Sequence, residues 1–238
     1  MSQAPVMEFR QDHAIINAVV SVVIPVVILH KLSTPWGPLH ALIFALSFPL
    51  CYGLYDFYRK KRLNPISALG FVNVLVTGGL AVLGIGGVWF SLKEAFFPLL
   101  IGVFIWISSM TEKPVIRTFL INPSVMNWDE ILNRLQKNNV EAEFDRHVRL
   151  STRFLAGSFF LSTILNFSLA LNIFLPLDPT LDDTAKSIAL NHQIAQMTSW
   201  SMVVIMVPLA LVLIFVLWHL LKGIERLTGL KMEEILKN

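Results

Sequence analysis

The segment TSWSMVVIMVPLALVLIFVLWHLL, residues 198–221, decides the fold class of this chain. It carries no Asp, Glu, Lys or Arg along its whole length. A helix of about 20 mostly apolar residues is long enough to cross the roughly 30 Å hydrocarbon core of a bilayer. We therefore predict that this segment crosses a membrane as an α-helix.

Five further blocks share this length and apolar character, and they give the sequence its composition. Of 238 residues, 55% are hydrophobic and 15% are charged, against about 25% charged in an average soluble domain. This composition excludes a soluble enzyme and a disordered chain, and the single cysteine, Cys51, excludes a disulfide scaffold. The fold class predicted is an all-α polytopic membrane protein whose six transmembrane helices occupy 14–30, 39–57, 66–88, 94–110, 154–175 and 198–221.

Lys and Arg divide unequally between the two sides of this six-span topology. One side holds sixteen of them, and the other holds only Lys31, Lys93 and Lys186. Because basic residues concentrate in cytoplasmic loops, both termini are expected in the cytoplasm. The net charge of +3 therefore reports orientation, and the expected partner is the lipid bilayer, with no nucleic acid. The chain then divides into 1–13 (cytoplasmic N-terminus), 14–110 (four spans), 111–153 (cytoplasmic loop), 154–221 (two spans) and 222–238 (cytoplasmic tail).

The loop 111–153 and the tail 222–238 contain apolar residues at helical spacing. Asn127 and Glu130 fit a capping box at the start of one helix, and Lys137 to Asn139 interrupt its pattern. We predict cytoplasmic amphipathic helices here, lying on the inner leaflet. Alternatively, their apolar faces pack on the cytoplasmic ends of the spans. The residues concerned are Trp128, Ile131, Leu132 and Leu135, and then Val140, Phe144 and Val148.

Prolines interrupt several spans. The pattern F-P-L-x-x-G occurs at residues 48–53 and again at 97–102. A proline frees the carbonyl four residues before it and can kink the helix. Such broken helices line transport sites, although proline is also common in ordinary membrane spans. The candidate kinks are Pro25, Pro49, Pro98 and Pro208.

Uncharged polar residues recur four apart on three predicted spans, which places each set on one helix face. Hydrogen bonds between such faces hold membrane helices together. The functional alternative is that the three faces converge on a small polar cavity. The residues are Asn17 and Ser21, Asn73 and Thr77, and Ser158, Ser162 and Asn166.

Catalytic and metal-binding patterns are not found in the sequence. No charged side chain lies near the middle of a predicted span, and Lys93 is expected to reach the interface as an anchor. Asp56 and His219 form the one acid and imidazole pair expected near one level, at the inner side. We therefore predict that the protein is not an enzyme and that it has no cofactor and no metal site.

An ordered set of short motifs resembles the bacterial septation protein A (intracellular septation protein A) inner-membrane family. Pro25 and then Lys31 are similar to the family's first span. Gly78-Gly79-Leu80, residues 90–93 ending at Lys93, Lys113-Pro114, and Asn166 to Ala170 follow in the family's order. The resemblance covers about residues 15–175 and suggests a divergent member. The candidate family positions are Lys31, Lys93, Lys113, Pro114 and Asn166.

The resemblance implies a multi-pass protein of the bacterial inner membrane that supports cell-envelope integrity or division without enzyme activity. Its partners would be a second copy of the chain or other envelope and division membrane proteins. The alternative, based on the prolines and polar faces, is a small-solute transporter, or a half-transporter that acts as a dimer.

Overall fold

The computed structural model describes residues 23–60, 72–73, 76–80, 85–121 and 125–236. Asn17, Ser21, most of the first predicted span and much of the third lie outside them. The described residues form α-helices and no β-strand, and residues 76–80 are also helical. The helices are α1 (Ile24–Leu32), α2 (Pro38–Lys60), α3 (Val88–Ser108), α4 (Val115–Phe119), α5 (Trp128–Lys137), α6 (Glu141–Ile173), α7 (Asp183–Val204), α8 (Met206–Thr228) and α9 (Met232–Ile235).

Three helical stretches are long and apolar enough to cross a membrane. They are α3, α6, and the run Asp183–Thr228, in which α7 and α8 follow each other directly. Most side chains in their apolar windows are not buried within the protein, as is expected of helices that face lipid. The all-helical class is thus confirmed, with three candidate spanning helices among the described residues.

Two helices begin earlier than the hydropathy predicted. The predicted span 154–175 covers the C-terminal part of α6, a single helix of 33 residues that begins at Glu141 and ends at Ile173. Similarly, α7 begins at Asp183, in the stretch between the predicted spans 154–175 and 198–221. The Asp182 carboxylate accepts the Ala185 backbone N–H at 2.6 Å, which satisfies a free donor at the helix start. Hydropathy marks how far a helix is apolar, whereas capping groups and helix breakers determine where it begins and ends.

The boundary between α7 and α8 lies at Ile205, where the regular helix is interrupted for one residue. Pro208 has no backbone N–H to donate to the carbonyl of Val204. The helical ladder resumes with the Leu209 N–H, which donates to the Ile205 carbonyl at 3.1 Å. Pro208 lies in the first turn of α8, three residues after the interruption at Ile205, so this predicted kink proline coincides with a break between two helices.

The other three candidate kink prolines also lie in helices. Pro25 is buried in the first turn of α1, a position where a missing N–H costs little. Pro49 lies within α2, and Pro98 lies inside α3, which continues without interruption to Ser108.

The chain divides into two compact units. The first comprises Met1–Lys93 with Leu169–Ser201, and the second comprises Glu94–Ser168 with Met202–Asn238. In the first unit, α1 and α2 pack against each other. The turn between them ends at Gly37, whose φ of 82° favours glycine.

The second unit is organised around a hydrophobic core. Apolar residues of α5 and α6 pack with residues of α8, and the last described residues of the chain close over them. The predicted amphipathic faces are therefore buried in protein, which is the packing alternative rather than the lipid-surface one. The core residues include Ile131, Leu135, Phe144, Val148, Val216, Leu220, Ile224 and Ile235.

The predicted capping box at Asn127 is wrong, although α5 begins and ends where the sequence indicated. The Asn127 side chain makes no cap bond to α5. Its Nδ2 instead donates to the backbone carbonyl of Glu234 at 2.8 Å, while Glu130 pairs with Arg134 at 2.9 Å. The amide is used to hold the C-terminal segment, so α5 starts without the capping bond that its sequence suggested.

Candidate functional site

Lys93 is the one Lys, Arg, Asp or Glu side chain that is buried among the residues for which the structure gives burial. It lies in the second turn of α3 and is 8% exposed. Its Nζ donates a 2.7 Å hydrogen bond to Oγ1 of Thr77, and that hydroxyl donates to the Asn73 carbonyl at 2.8 Å. The side chain is therefore held inside the first unit, and the expected interfacial anchor is not what the structure has.

Aromatic rings form one wall of the Lys93 site. The Lys93 Nζ is 5.9 Å from the centre of the Phe90 ring, within the range of a cation–π interaction. Phe90 is fully buried and stacks on Phe174, with ring centres 4.5 Å apart. An ammonium group next to an aromatic face and a hydroxyl is stabilised away from water by both.

Ser91 adds a second polar group on α3. Its side chain is fully buried, and its hydroxyl has no hydrogen-bond partner among the described residues. A buried hydroxyl without a partner costs about 1–3 kcal/mol. Such a group is tolerated where it serves a ligand or water, so Ser91 is a candidate binding residue in its own right.

Side chains of the polar stripe on the fifth predicted span donate hydrogen bonds to groups within α6. Ser158 donates to the Leu155 carbonyl at 2.6 Å. The amide of Asn166 donates to the Ser162 carbonyl at 2.8 Å and to the Ser162 hydroxyl at 3.1 Å. This stripe belongs to the second unit, whereas Asn73 and Thr77 belong to the first. Convergence of the polar faces on a cavity stays a prediction.

The remaining candidate family positions lie near helix ends. Lys31 is exposed in the last turn of α1. Lys113 is also exposed, and the next residue, Pro114, is buried directly before α4. Asn166 bonds within its own helix, as described above. Lys31 belongs to the first unit, whereas Lys113, Pro114 and Asn166 belong to the second.

His219 has an imidazole partner that the sequence reasoning missed. The His147 and His219 rings stack with centres 4.5 Å apart and 27° between their planes. Nδ1 of His219 lies 3.0 Å from the Ser151 hydroxyl. The side chain of Asp56, the acid expected near the level of His219, lies outside what the structure describes.

The imidazole of His147 can approach the backbone of α8 closely because residue 223 is a glycine. A Cβ on Gly223 would lie 1.9 Å from Nε2 of His147, closer than any real contact. Without that atom, Nε2 approaches the carbonyls of His219 at 3.1 Å and Leu220 at 3.3 Å. A carbonyl can only accept, so Nε2 carries the proton. The available signal was a glycine four residues after His219, just beyond the predicted span 198–221.

Neither a grouping of metal ligands among the described residues nor a similarity to known proteins identifies a function for this chain. Within the described part of the chain, no three His, Cys, Asp or Glu side chains are grouped so that they could hold a metal ion. No family model matches the sequence, and no curated protein or solved structure is significantly similar to it.

Proposed function

We propose that this chain is a six-span protein of the bacterial inner membrane, with both termini in the cytoplasm. In this proposal it supports cell-envelope integrity or division without catalysing a reaction, as its resemblance to the septation protein A family implies. The observation that carries the proposal is the polar stripe of α6, in which the Ser158 hydroxyl and the Asn166 amide N–H groups donate within their own helix.

That observation favours a scaffold because a solute site needs polar groups that remain available. Ser158 and Asn166 both donate to carbonyls of their own helix, at 2.6 Å and 2.8 Å. Side-chain bonds of this kind remove a polar group from hydrocarbon without requiring a ligand. The stripe therefore fits a helix that packs among lipid and neighbouring helices.

The packed segment that precedes α6 gives the scaffold a surface for partners. Its apolar residues lie in the core of the second unit, so mainly charged and polar side chains remain outside. Among them, Arg117 and Asp145 form a 3.0 Å ion pair between α4 and α6. A folded, charged surface next to the membrane suits contacts with envelope or division proteins or with a second copy of the chain.

The topology can be tested with single cysteines. Cys51→Ser removes the one native thiol, and Arg134→Cys at an exposed position or Lys186→Cys at a half-buried position then adds one. A membrane-impermeant maleimide should label position 186 in intact spheroplasts and position 134 only after permeabilisation. Labelling of position 134 from outside would overturn the proposed orientation.

The envelope role can be tested by deleting the gene in its host. We expect altered cell shape or increased sensitivity to osmotic shock, restored by the wild-type gene. Ser162→Ala should restore cell shape and osmotic tolerance as well as the wild-type gene does, because the stripe serves packing within one helix. Normal morphology and normal osmotic tolerance in the deletion strain would contradict this role.

The buried Lys93 favours transport as a second candidate function. An ionisable side chain inside an apolar helix is a functional hypothesis by default, and the Ser91 hydroxyl is buried close by in sequence. Proteoliposomes holding the wild-type chain should then take up a solute that Lys93→Met proteoliposomes do not. Uptake at background across a broad solute panel would exclude this candidate and leave the scaffold.

A further inference from the structure

His30 and His192 bring two imidazole nitrogens together in the first unit. His30 lies in the last turn of α1 and His192 in the middle of α7, and their Nδ1 atoms are 3.0 Å apart. The ring centres are 5.0 Å apart, with 54° between the planes. The contact is exposed at the protein surface, and His192 lies between two predicted spans, so in the proposed topology water or a dissolved ion can reach both nitrogens.

The backbone under this pair is fixed by a buried amide. Asn191, directly before His192, is 2% exposed. Its Nδ2 donates to the Ser33 hydroxyl at 3.1 Å and to the Pro38 carbonyl at 2.8 Å. Ser33 in turn donates to the carbonyl of Leu29 at 2.6 Å. These bonds join α7 to the turn between α1 and α2, so the two histidines are held together before any ligand arrives.

The spacing of the two nitrogens matches that of two ligands on one metal ion. Imidazole nitrogens bind zinc at about 2.0–2.1 Å, so two of them at an angle of about 90–110° lie about 2.8–3.4 Å apart. The observed 3.0 Å lies within this range. We propose that His30 and His192 bind one divalent late-transition-metal ion through their Nδ1 atoms.

Metal binding requires a change of tautomer and a turn of the two rings, because lone pairs that meet along the line between the Nδ1 atoms must instead converge on an ion beside that line. In the metal-free contact, one Nδ1 must carry a proton and donate it to the other. On binding, that ring carries its proton on Nε2 instead, and both Nδ1 lone pairs face the ion. Both rings stay neutral, and exposure lets water carry the proton and fill the remaining coordination positions.

The ligand set indicates which ions bind. Two imidazoles suit copper, nickel and zinc, whereas magnesium and calcium prefer oxygen ligands. Affinity at such a site is expected to be highest for Cu²⁺. Lys31, whose charge acts on His30, lowers the affinity for any cation. Acidic pH also weakens binding, because a protonated imidazole has no free lone pair.

The test is a Cu²⁺ titration of the full chain in detergent, followed by calorimetry and electron paramagnetic resonance. Wild type should bind one equivalent with superhyperfine splitting from two nitrogens. His30→Gln and His192→Gln should each weaken binding by at least about tenfold, since loss of an outer-shell partner alone costs 10–100-fold. His40→Gln, an exposed histidine on α2, is the matched control and should bind as wild type does.

Two results would overturn the proposal. One is equal Cu²⁺ affinity in wild type and in the His30→Gln, His192→Gln double variant. The other is a wild-type spectrum without imidazole nitrogen splitting, which is informative even if the variants fold poorly. Circular dichroism checks that each variant keeps its helix content before its affinity is compared.

Discussion

Histidines meet in two places among the described residues, and the atoms around them differ. His147 lies against α8, and its Nε2 lies 3.1 Å and 3.3 Å from two backbone carbonyls. His30 and His192 instead place nitrogen against nitrogen at 3.0 Å, at an exposed contact. In the first pair, Nε2 of His147 uses its proton in contacts with backbone carbonyls. In the second pair, the Nδ1 atoms of His30 and His192 face each other.

The difference shows that acceptor atoms, not residue types, distinguish a structural histidine from a ligand. The two carbonyls keep the proton on Nε2 of His147, so that atom has no lone pair for a metal ion. The exposed pair has no such carbonyl among its described bonds and can exchange a shared proton for a cation. We therefore assign His147 to packing and the pair His30 and His192 to binding.

The largest effect is expected from Gly223→Ala, which attacks the structural pair. The new methyl would overlap the His147 ring, so the ring must leave and its carbonyl contacts are lost. Overpacking of this kind costs about 1–3 kcal/mol. Denaturant unfolding in micelles should show a lower free energy of unfolding, while Cu²⁺ affinity at the other pair stays at the wild-type value.

Gly157→Ala is the matched control for this substitution. Gly157 is also inside a long helix of the same unit, and a Cβ there meets nothing within 4 Å. Alanine in a helix interior is favoured over glycine by roughly 0.5–1 kcal/mol, so this variant should be unchanged or slightly more stable. Equal destabilisation by both substitutions would show that the close approach of His147 is not the reason why alanine is unfavourable at position 223.

A double variant sharpens the assignment. His147→Ala removes the ring that Gly223→Ala would strike, so the second substitution should cost little in that background. Residues in direct contact show such non-additivity, by about 0.5–3 kcal/mol. Strictly additive free energies would contradict the contact between Gly223 and His147.

Much of the fold follows from hydropathy, but neither histidine pair does. The apolar segment 198–221 predicted most of α8, and the Lys137 to Asn139 break predicted the end of α5, where Asn139 has a φ of 54°. The contact of His147 with the His219 carbonyl joins residues 72 positions apart. No local pattern encodes such a distance, because packing of separate helices creates it.

The start of α6 could not be predicted from hydropathy for a different reason. Residues 141–153 carry many charges, which indicated a separate amphipathic helix outside the membrane. Charge does not end a helix, however, and no proline or glycine lies between Glu141 and Ala156. The hydrogen-bonding ladder therefore continues from the charged part into the apolar part of one helix.

A smaller effect on stability, but a clear one on binding, is expected from Asn191→Ala. The substitution leaves the part-buried Pro38 carbonyl without this donor, and a typical hydrogen bond contributes about 0.5–1.5 kcal/mol to stability. Because the same amide holds α7 next to the turn after α1, Cu²⁺ affinity should fall as well. Calorimetry and denaturant unfolding on the same sample measure both quantities.

The control for Asn191 is Asn138→Ala. Asn138 also donates to a backbone carbonyl, that of Leu227 at 2.9 Å, but at an exposed position. Water can replace an exposed bond, so this variant should lose less than about 1 kcal/mol and keep its Cu²⁺ affinity. Unchanged metal affinity in Asn191→Ala would mean that the buried amide does not position the histidine pair.

The smallest effect is expected from Lys31→Gln, which removes the positive charge next to His30. Exposed charges interact by up to about 1 kcal/mol, so Cu²⁺ affinity should rise by up to roughly fivefold. The rise should shrink at high ionic strength, since salt screens exposed charges. Lys222→Gln provides the contrast, because Lys222 follows His219 in the structural pair and should leave Cu²⁺ affinity unchanged. An equal rise in Cu²⁺ affinity in both variants would show an effect of net charge alone. It would contradict a specific effect of Lys31 on the metal site.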